Sequence, residues 1–288
     1  MQAYTPKSTG EPAGGVLYLV ATPIGNLSDL SHRALTVLEK VSVIAAEDTR
    51  VTGKLLDRFG LHTPLVAYHQ HNWRGQGPVL VERLQAGESV ALVTDAGTPA
   101  ISDPGAELVL LCAQAGVPCV AIPGACAAIT ALCVSALPTR RFCFEGFLEA
   151  QGSGRKKQLT ELAKEPRTLV LYEAPHRLCR TLEDLAQAFG PDRRLALCRE
   201  LTKLNEEVLR LTLSQAVEHY RSHTPRGEYV LVIDGAPPQD KAAQWESLSP
   251  QEHFERYLSQ GMSKMEALKA VAKDRGLPKS QLYDQLMK

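Results

Sequence analysis

The segment that is most informative about the fold is SVALVTDAGTPAISDPG, residues 89–105. Its first half, Ser89–Asp95, is rich in valine, leucine and alanine, which predicts a strand buried on both faces of a parallel sheet. A loop rich in glycine and proline follows, and then Gly105–Ala115, which predicts a helix. Ligands of parallel α/β sheets bind beyond the carboxyl ends of the strands, so this loop is a candidate binding loop.

The same alternation of strands and helices continues on both sides of this stretch. Further buried strands are predicted at Gly15–Thr22, Val41–Glu47, Leu65–Tyr68 and Val117–Pro123. Helices are predicted at Ser31–Lys40, Thr52–Phe59 and Val79–Ala86. This order of elements favours a mostly parallel sheet that is covered by helices on both faces.

A second set of strands and helices follows, and then a segment that is only helical. The second set has strands predicted at Arg141–Leu148, Arg167–Ala174, Arg193–Leu201, Glu207–Leu213 and Gly227–Asp234. Its helices are predicted at Ala125–Leu137, Arg155–Lys164, His176–Phe189 and Ser214–Ser222. After a linker that contains proline, helices are predicted at Pro250–Gln260, Ser263–Arg275 and Ser280–Met287, and the glycine-containing turn between the last two is typical of a helix-turn-helix.

The predicted fold class is therefore α/β, with a small helical domain at the end. We expect a flexible N-terminus at 1–14, α/β domains at 15–124 and 125–236, and a linker with the helix-turn-helix domain at 237–288.

Composition and charge exclude several classes of protein. The chain has 288 residues with 44% hydrophobic and 22% charged residues, which is typical of globular proteins and atypical of disordered or fibrous ones. Lys+Arg and Asp+Glu are both 32, so a globally basic coat for nucleic acid is not expected. No apolar run approaches the roughly 20 residues of a membrane span, and the first 15 residues contain no apolar signal core. We expect a cytoplasmic enzyme without a membrane partner.

Several familiar catalytic motifs are missing from the sequence. It contains no G-x-G-x-x-G dinucleotide fingerprint, no G-x-x-x-x-G-K-[ST] phosphate loop, no G-x-S-x-G elbow and no metal-ligand spacing, so we expect no metal. Four glycine- and proline-bearing or charged loops follow predicted strands instead: 22–27, 46–50, 95–105 and 122–128. Their glycines allow close backbone approach to a ligand, their prolines stiffen them, and Asp95 and Asp103 offer hydrogen-bond acceptors. Together they predict a shared ligand pocket.

These loops and several later segments also carry a family resemblance. The motifs are TPIGNL, AEDTR, DAGTPAISDPG, PGACAAITAL, FEGFL, YEAPHR and GEYVLVI. In this order they resemble the small-subunit ribosomal RNA 2′-O-ribose methyltransferase I family, a branch of the tetrapyrrole methylase superfamily of class III methyltransferases. The first and central loops depart from the G-x-G-x-G-D and G-D-P patterns of tetrapyrrole-modifying members, which favours RNA as the substrate.

The resemblance implies the cofactor and the partners. It implies two α/β domains that hold S-adenosyl-L-methionine between them, commonly in a homodimer. It implies 2′-O-methylation of the ribose of a cytidine in the decoding region of 16S rRNA, within the small ribosomal subunit. Matched motif by motif, the expected cofactor contacts are Pro23, Asp95, Ala96, Gly97, Thr98, Ala100, Ile101, Cys126, Ala127 and Glu173.

Catalysis and RNA binding require further groups. A ribose hydroxyl is a poor nucleophile that a positioned base would activate, and the candidate bases are Glu47 or Asp48 first and Asp103 second. The fork of Arg50 suits a phosphate, although AEDTR is also typical of an ordinary helix cap. The other candidate RNA contacts are Asn26, His69, His71, Asn72, Arg155, Lys156 and Lys157.

Two other functions and one structural question stay open at this stage. The chain is also compatible with a methyltransferase for a tetrapyrrole or corrinoid, or with a non-catalytic regulator that binds nucleic acid. The helix-turn-helix is expected either to bind RNA or to brace a dimer. Cysteines recur every seven residues from Cys112 to Cys133, and we interpret them as small buried residues of a reducing compartment.

Overall fold

A computed structural model describes residues 15–103, 105–237 and 248–286. The chain divides into two compact units, 1–235 and 236–288. The expected flexible segment 1–14 and most of the expected linker lie outside the described residues.

The first sheet has five parallel strands, as the alternation of elements predicts. The strands are β1 (Leu17–Val20), β2 (Val43–Ala46), β3 (Leu65–Ala67), β4 (Val90–Val93) and β5 (Cys119–Ile122). They are arranged in the order β3-β2-β4-β1-β5. The connecting helices are α1 (His32–Lys40), α2 (Thr49–Arg58), α3 (Trp73–Gln85) and α4 (Gly105–Gln114). Every residue of β2 and β4 is buried, which explains their unbroken apolar sequences.

Alternate residues of these strands enter two separate cores, one on each face of the sheet. On one face Tyr18 and Ile44 pack with α1 and α2 around Leu38. On the other face Leu17 and Leu92 pack with α3 and α4, whose contacts include Leu80, Leu84 and Leu108. The predicted coverage of both faces is confirmed.

The second sheet is mixed. It contains β6 (Phe142–Phe147), β7 (Thr168–Glu173), β8 (Arg194–Arg199), β9 (Glu207–Thr212) and β10 (Tyr229–Ile233), in the order β6-β7-β10-β8-β9. Only β6 and β7 are parallel, and the other three pairs are antiparallel. Its helices are α5 (Ala127–Val134), α6 (Gly152–Leu162), α7 (Pro175–Phe189) and α8 (Leu213–Ser222).

Several helices begin earlier than their hydrophobic patterns predict, among them α2, α3 and α8. Helix α2 begins at Thr49 because the Asp48 side chain caps it, accepting the N–H of Arg50 at 2.8 Å. Helix α8 has Thr212 as its cap, with a complete capping box to Gln215, so Ser214, the predicted first residue, already lies inside the helix. Helix α3 begins at Trp73 and continues through Pro78, which lacks the backbone N–H of a normal helical residue.

The second unit consists of α9 (Pro250–Ser259), α10 (Lys264–Arg275) and α11 (Lys279–Leu286) around a core that contains Phe254, Leu268 and Leu282. Ser263 and Glu266 form a capping box at the start of α10, and Gly276 ends this helix in the left-handed conformation. No helix among the described residues is long and apolar enough to cross a membrane.

The cysteines differ in burial. Cys112 is buried, as expected, and Cys119 and Cys126 are half-buried. The prediction is wrong for Cys133, which is exposed because it lies on the outer side of α5.

Candidate active site

Three of the four predicted loops are bonded to one another at the carboxyl end of the first sheet. The N–H of Thr22 donates to the carbonyl of Gly97 at 2.9 Å, and the N–H of Gly97 donates back at 3.1 Å. The hydroxyl of Thr98 donates to the carbonyl of Ala125 at 2.9 Å. Gly97 has φ 91°, a left-handed conformation that favours glycine. The first, third and fourth loops therefore form one connected rim.

The second loop joins this rim through carboxylates. The N–H of Asp48 donates to Oδ1 of Asp95 at 3.1 Å. The N–H of Asp95 lies 3.4 Å from Oε2 of Glu47, which accepts from it. Because these residues are almost 50 positions apart, the bonds fix the end of β2 against the end of β4.

The central loop is organised by Asp103. Its carboxylate accepts the N–H groups of Ala100 at 2.9 Å, Ile101 at 3.1 Å and Gly105 at 2.7 Å. Ala100 and Ser102 are both left-handed, with φ of 68° and 66°. The Asp103 carboxylate therefore holds a strained turn in place, which makes it a loop anchor more than a free base.

A cavity of about 440 Å³ opens above this rim. Its walls come from the loops of the first sheet and from the ends of β6, β7 and β10 in the second sheet. Nine of the predicted site residues line it: Glu47, Ala96, Gly97, Thr98, Ile101, Asp103, Cys126, Ala127 and Glu173.

Four predicted residues lie at the rim without lining the cavity. Pro23, Asp95 and Ala100, expected to contact the cofactor, and Asp48, a candidate base, are absent from its walls. Asp95 and Ala100 still shape the cavity. The carboxylate of Asp95 accepts the N–H of Asp48 in the second loop, and the N–H of Ala100 donates to Asp103.

The second sheet contributes an aromatic wall, Phe147 and Tyr172, that was not predicted from the sequence. The Tyr172 hydroxyl accepts the N–H of Ala128 at 3.3 Å, and burial raises the pKa of this phenol to about 12. The rings of Phe147 and Tyr172 meet edge to face, with centroids 5.7 Å apart. Both residues belong to the quoted segments FEGFL and YEAPHR, whose aromatic side chains are a usable sequence signal for this wall.

The cavity has an acidic wall. Glu47, Asp103, Glu173 and Glu228 line it, and none of the described lining residues is a lysine or an arginine. Burial raises the pKa of Glu47, and the charges of Asp95 and Asp103 act in the same direction. Such a site favours a cationic ligand.

Glu173 is a buried part of this wall, with 2% of its surface exposed. It accepts the hydroxyl of Thr181 at 2.6 Å and the N–H of Ala174 at 2.9 Å. Arg177 Nε lies 3.3 Å from Oε1 of the same carboxylate. Its carboxylate is thus fixed in orientation.

Asp48 and Arg50 form an ion pair at the start of α2. Arg50 Nε donates to Oδ1 of Asp48 at 3.0 Å, and this bond is the main reason that the pKa of Asp48 falls well below its usual range. The Arg50 side chain is 86% exposed, so it is accessible to a partner. Asn26 is also exposed, and its side chain caps a short 3-10 helix at Leu27–Asp29.

The predicted histidine cluster forms a turn before α3. The Asn72 side chain accepts the N–H of His69 at 2.8 Å and donates to the carbonyl of Ala67 at 2.9 Å. The amide of Asn72 is therefore occupied by the turn itself. The rings of His69 and His71 lie 5.9 Å apart, edge to face, and His71 is exposed.

The basic run on α6 separates into buried and exposed residues. Arg155 is 3% exposed and donates to Asp184 at 2.8 Å, to Thr181 at 3.0 Å and to the carbonyl of Glu149 at 2.8 Å. This burial contradicts the expectation that Arg155 contacts RNA. Lys156 and Lys157 are exposed. Within the described ranges, no cluster of histidine, cysteine, aspartate or glutamate could hold a metal ion.

Known proteins resemble this chain along most of its length. Residues 16–217 match the family model of Tetrapyrrole (Corrin/Porphyrin) Methylases. Ribosomal RNA small subunit methyltransferase I of Synechocystis sp. is 48% identical over 269 residues, which cover 93% of this chain and 96% of the relative. The protein of the same name from Halalkalibacterium halodurans is 48% identical over 272 residues and covers 94% of each chain.

A solved structure shares the fold. Uroporphyrin-III C-methyltransferase from Thermus thermophilus, complexed with S-adenosyl homocysteine, aligns with a TM-score of 0.53 and 21% identity. The alignment covers 75% of this chain and 96% of that chain. With a matching family model over most of its length and relatives of 48% identity over nearly all of it, this chain belongs to the tetrapyrrole methylase family and, within it, to the ribosomal RNA small subunit methyltransferase I proteins.

Proposed function

We propose that this protein transfers a methyl group from S-adenosyl-L-methionine to the ribose 2′-oxygen of a cytidine in the decoding region of 16S rRNA. The observation that carries the proposal is the 48% identity, over 93% of the chain, to a protein named ribosomal RNA small subunit methyltransferase I. The cavity supports it independently, because its size and charge suit a cationic methyl donor.

The residues present fit this donor. A volume of about 440 Å³ lies within the usual range of small-molecule sites, roughly 300–1,000 Å³. The donor supplies a methyl group bound to a positively charged sulfur, which the acidic wall favours. The backbone of Ala96, Gly97 and Thr98 and the side chains of Ile101 and Tyr172 would hold it. Cys126 and Ala127 are small, which leaves room for a flat ring.

Glu47 is the best candidate for the base. It lines the cavity, its pKa is raised by burial, and among the described residues its carboxylate accepts a single long bond, from the N–H of Asp95. In this role it would accept the proton of the 2′-hydroxyl as that oxygen bonds to the methyl carbon and the methyl–sulfur bond breaks, with its electron pair remaining on the sulfur. Asp48 is paired with Arg50, and Asp103 is occupied by three backbone groups.

RNA would reach the cavity over exposed cations. Arg50, Lys156 and Lys157 are accessible, and α6 begins five residues after Phe147, which lines the cavity. We therefore assign phosphate contacts to these three residues, with Asn26, His69 and His71 as further contacts. Asn72 shapes the turn that presents the histidines.

The proposal includes a cellular setting and an organisation of domains. The substrate is 16S rRNA within the small ribosomal subunit, the enzyme is a cytoplasmic homodimer, and the domains are 15–124, 125–236 and 237–288. Sedimentation of the purified protein at micromolar concentration tests the dimer.

The decisive experiment combines donor binding with mapping of the product. Calorimetry should detect S-adenosyl-L-methionine binding, and mass mapping of rRNA from cells that lack this protein should lose one ribose methyl group on a cytidine. Loss of a tetrapyrrole methylation instead, or failure to bind the donor, would contradict the proposal.

A further inference from the structure

A second cavity, of about 340 Å³, adjoins the first. The two cavities share three lining residues: Glu47, Ser102 and Asp103. The remaining walls of the second cavity are Gln70, Trp73 and Glu107. A ligand that fills it therefore lies directly beside Glu47, the base assigned above.

The walls of this second cavity are firmly positioned. Gln70 lies in the turn that the Asn72 side chain closes through its bonds to His69 and Ala67. Trp73 is the first residue of α3 and packs against the core under the sheet. Glu107 lies in the first turn of α4. The cavity is thus built from two helix starts and an anchored loop.

Glu107 has an unsatisfied oxygen. Its Oε2 atom is buried and has no hydrogen-bond partner among the described residues. Leaving a buried carboxylate oxygen unpaired is unfavourable, so Glu107 is a group for which a hydrogen-bond donor would be stabilising. Because Glu107 lines the second cavity, a ligand there that carries N–H groups would have a carboxylate acceptor beside it.

We propose that the second cavity receives the base of the target nucleotide, and that Glu107 selects cytosine by accepting its exocyclic amino group. This inference rests on the proposed function and specifies how the acceptor is recognised. Cytosine presents an amino donor where uracil presents a carbonyl acceptor, and carboxylates pair with that donor. Trp73 supplies an apolar wall for the ring. A base placed here brings its own ribose to Glu47 on the shared wall.

The same contact determines which pyrimidine is rejected. A uracil in this cavity would place its carbonyl oxygen against the Glu107 carboxylate, so that two acceptors face each other. One such polar contact discriminates bases by roughly 10- to 100-fold. Replacing the carboxylate with an amide provides an N–H donor and removes this penalty.

The experiment compares two RNAs that differ only in having cytidine or uridine at the target position. We expect Glu107→Gln to lower the cytidine-to-uridine ratio of kcat/KM at least tenfold, with the affinity for S-adenosyl-L-methionine unchanged by calorimetry. Glu82→Gln removes the same charge from an exposed site on α3 and serves as the matched control, with an unchanged ratio.

A substrate analogue tests the contact without any mutation. RNA that carries zebularine, a cytidine analogue without the amino group, should be methylated by the native protein with kcat/KM about tenfold lower than cytidine RNA. Native rates on zebularine RNA, or a Glu107→Gln ratio equal to that of the control, overturn the inference and leave the proposed function standing. A native protein that methylates neither natural RNA overturns both.

Discussion

At the scale of single residues, the adjacent carboxylates Glu47 and Asp48 have opposite electrostatic environments. Burial raises the pKa of Glu47, whereas the hydrogen bond from Arg50 lowers that of Asp48. A carboxyl group with a raised pKa is the better proton acceptor, and only Glu47 borders the cavity. The order of the residues along the chain cannot distinguish these roles, because both environments depend on the fold.

The role of Glu47 predicts a particular pH dependence. The rate should fall as the pH drops through the raised pKa of Glu47, since the protonated acid cannot accept a proton, so the midpoint of this limb lies above 4.5. In Glu47→Gln the limb should disappear and kcat should fall by about 100-fold. The measurement is kcat/KM for RNA methylation against pH. Asp48→Asn should keep the limb, and a Glu47→Gln enzyme with the native profile would refute the assignment.

Substitutions at the neighbouring residues Arg155 and Lys156 should differ greatly in their effect on stability. Arg155→Ala removes a buried guanidinium from Asp184, Thr181 and a carbonyl, and should lower the free energy of unfolding by about 3 kcal/mol. Lys156→Ala alters an exposed side chain and should change it by less than about 0.5 kcal/mol. Urea denaturation measures both. Equal stabilities would show that the Arg155 contacts are energetically unimportant.

At the scale of elements, the loop 95–105 depends on one side chain. Asp103→Ala leaves the N–H groups of Ala100, Ile101 and Gly105 without their acceptor, while two residues of the loop remain left-handed. We expect the dissociation constant for S-adenosyl-L-methionine to rise about tenfold, which corresponds to about 1.4 kcal/mol. Calorimetry measures it.

Asp103→Asn is the matched variant for this loop. It retains one acceptor oxygen at the same position, so its affinity should lie between those of the native and alanine proteins. Native affinity in Asp103→Ala would show that the loop holds its conformation without the carboxylate.

Local hydrophobic patterns predict the positions of strands better than the ends of helices. Runs such as VALV identify buried strands because every side chain of a central parallel strand is covered. The boundaries of α2 and α8 were misplaced, since the caps Asp48 and Thr212 lie outside the apolar pattern that locates a helix. The motif AEDTR is indeed typical of a helix cap, and the polar identity of Thr212 is a local signal of the same kind.

At the scale of the whole molecule, the zero net charge limits how RNA is bound. The phosphate contacts proposed above come from three exposed cations, Arg50, Lys156 and Lys157, so we expect a shallow dependence of RNA affinity on salt. Replacing both Lys156 and Lys157 with alanine should reduce the slope of log Kd against log salt by about 1.4, at about 0.7 per phosphate contact on single strands.

Fluorescence anisotropy at several salt concentrations measures this slope. Arg58→Ala serves as the control, because Arg58 is exposed at the end of α2 that lies away from the cavity. A double lysine variant with the native slope would exclude these lysines from the RNA path.

The amino-acid sequence by itself determined the α/β class, the parallel sheet, the loops at its carboxyl edge and the family, because hydrophobic runs, turn residues and ordered motifs are properties of short segments. Only the tertiary structure decided that Tyr172 and Phe147 wall the cavity, that Arg155 is buried while Lys156 is exposed, and that Glu47 differs from Asp48. These outcomes depend on partners far away in the chain, such as Asp184 for Arg155 and Asp95 for Glu47, and burial and charge pairing arise only when such segments meet.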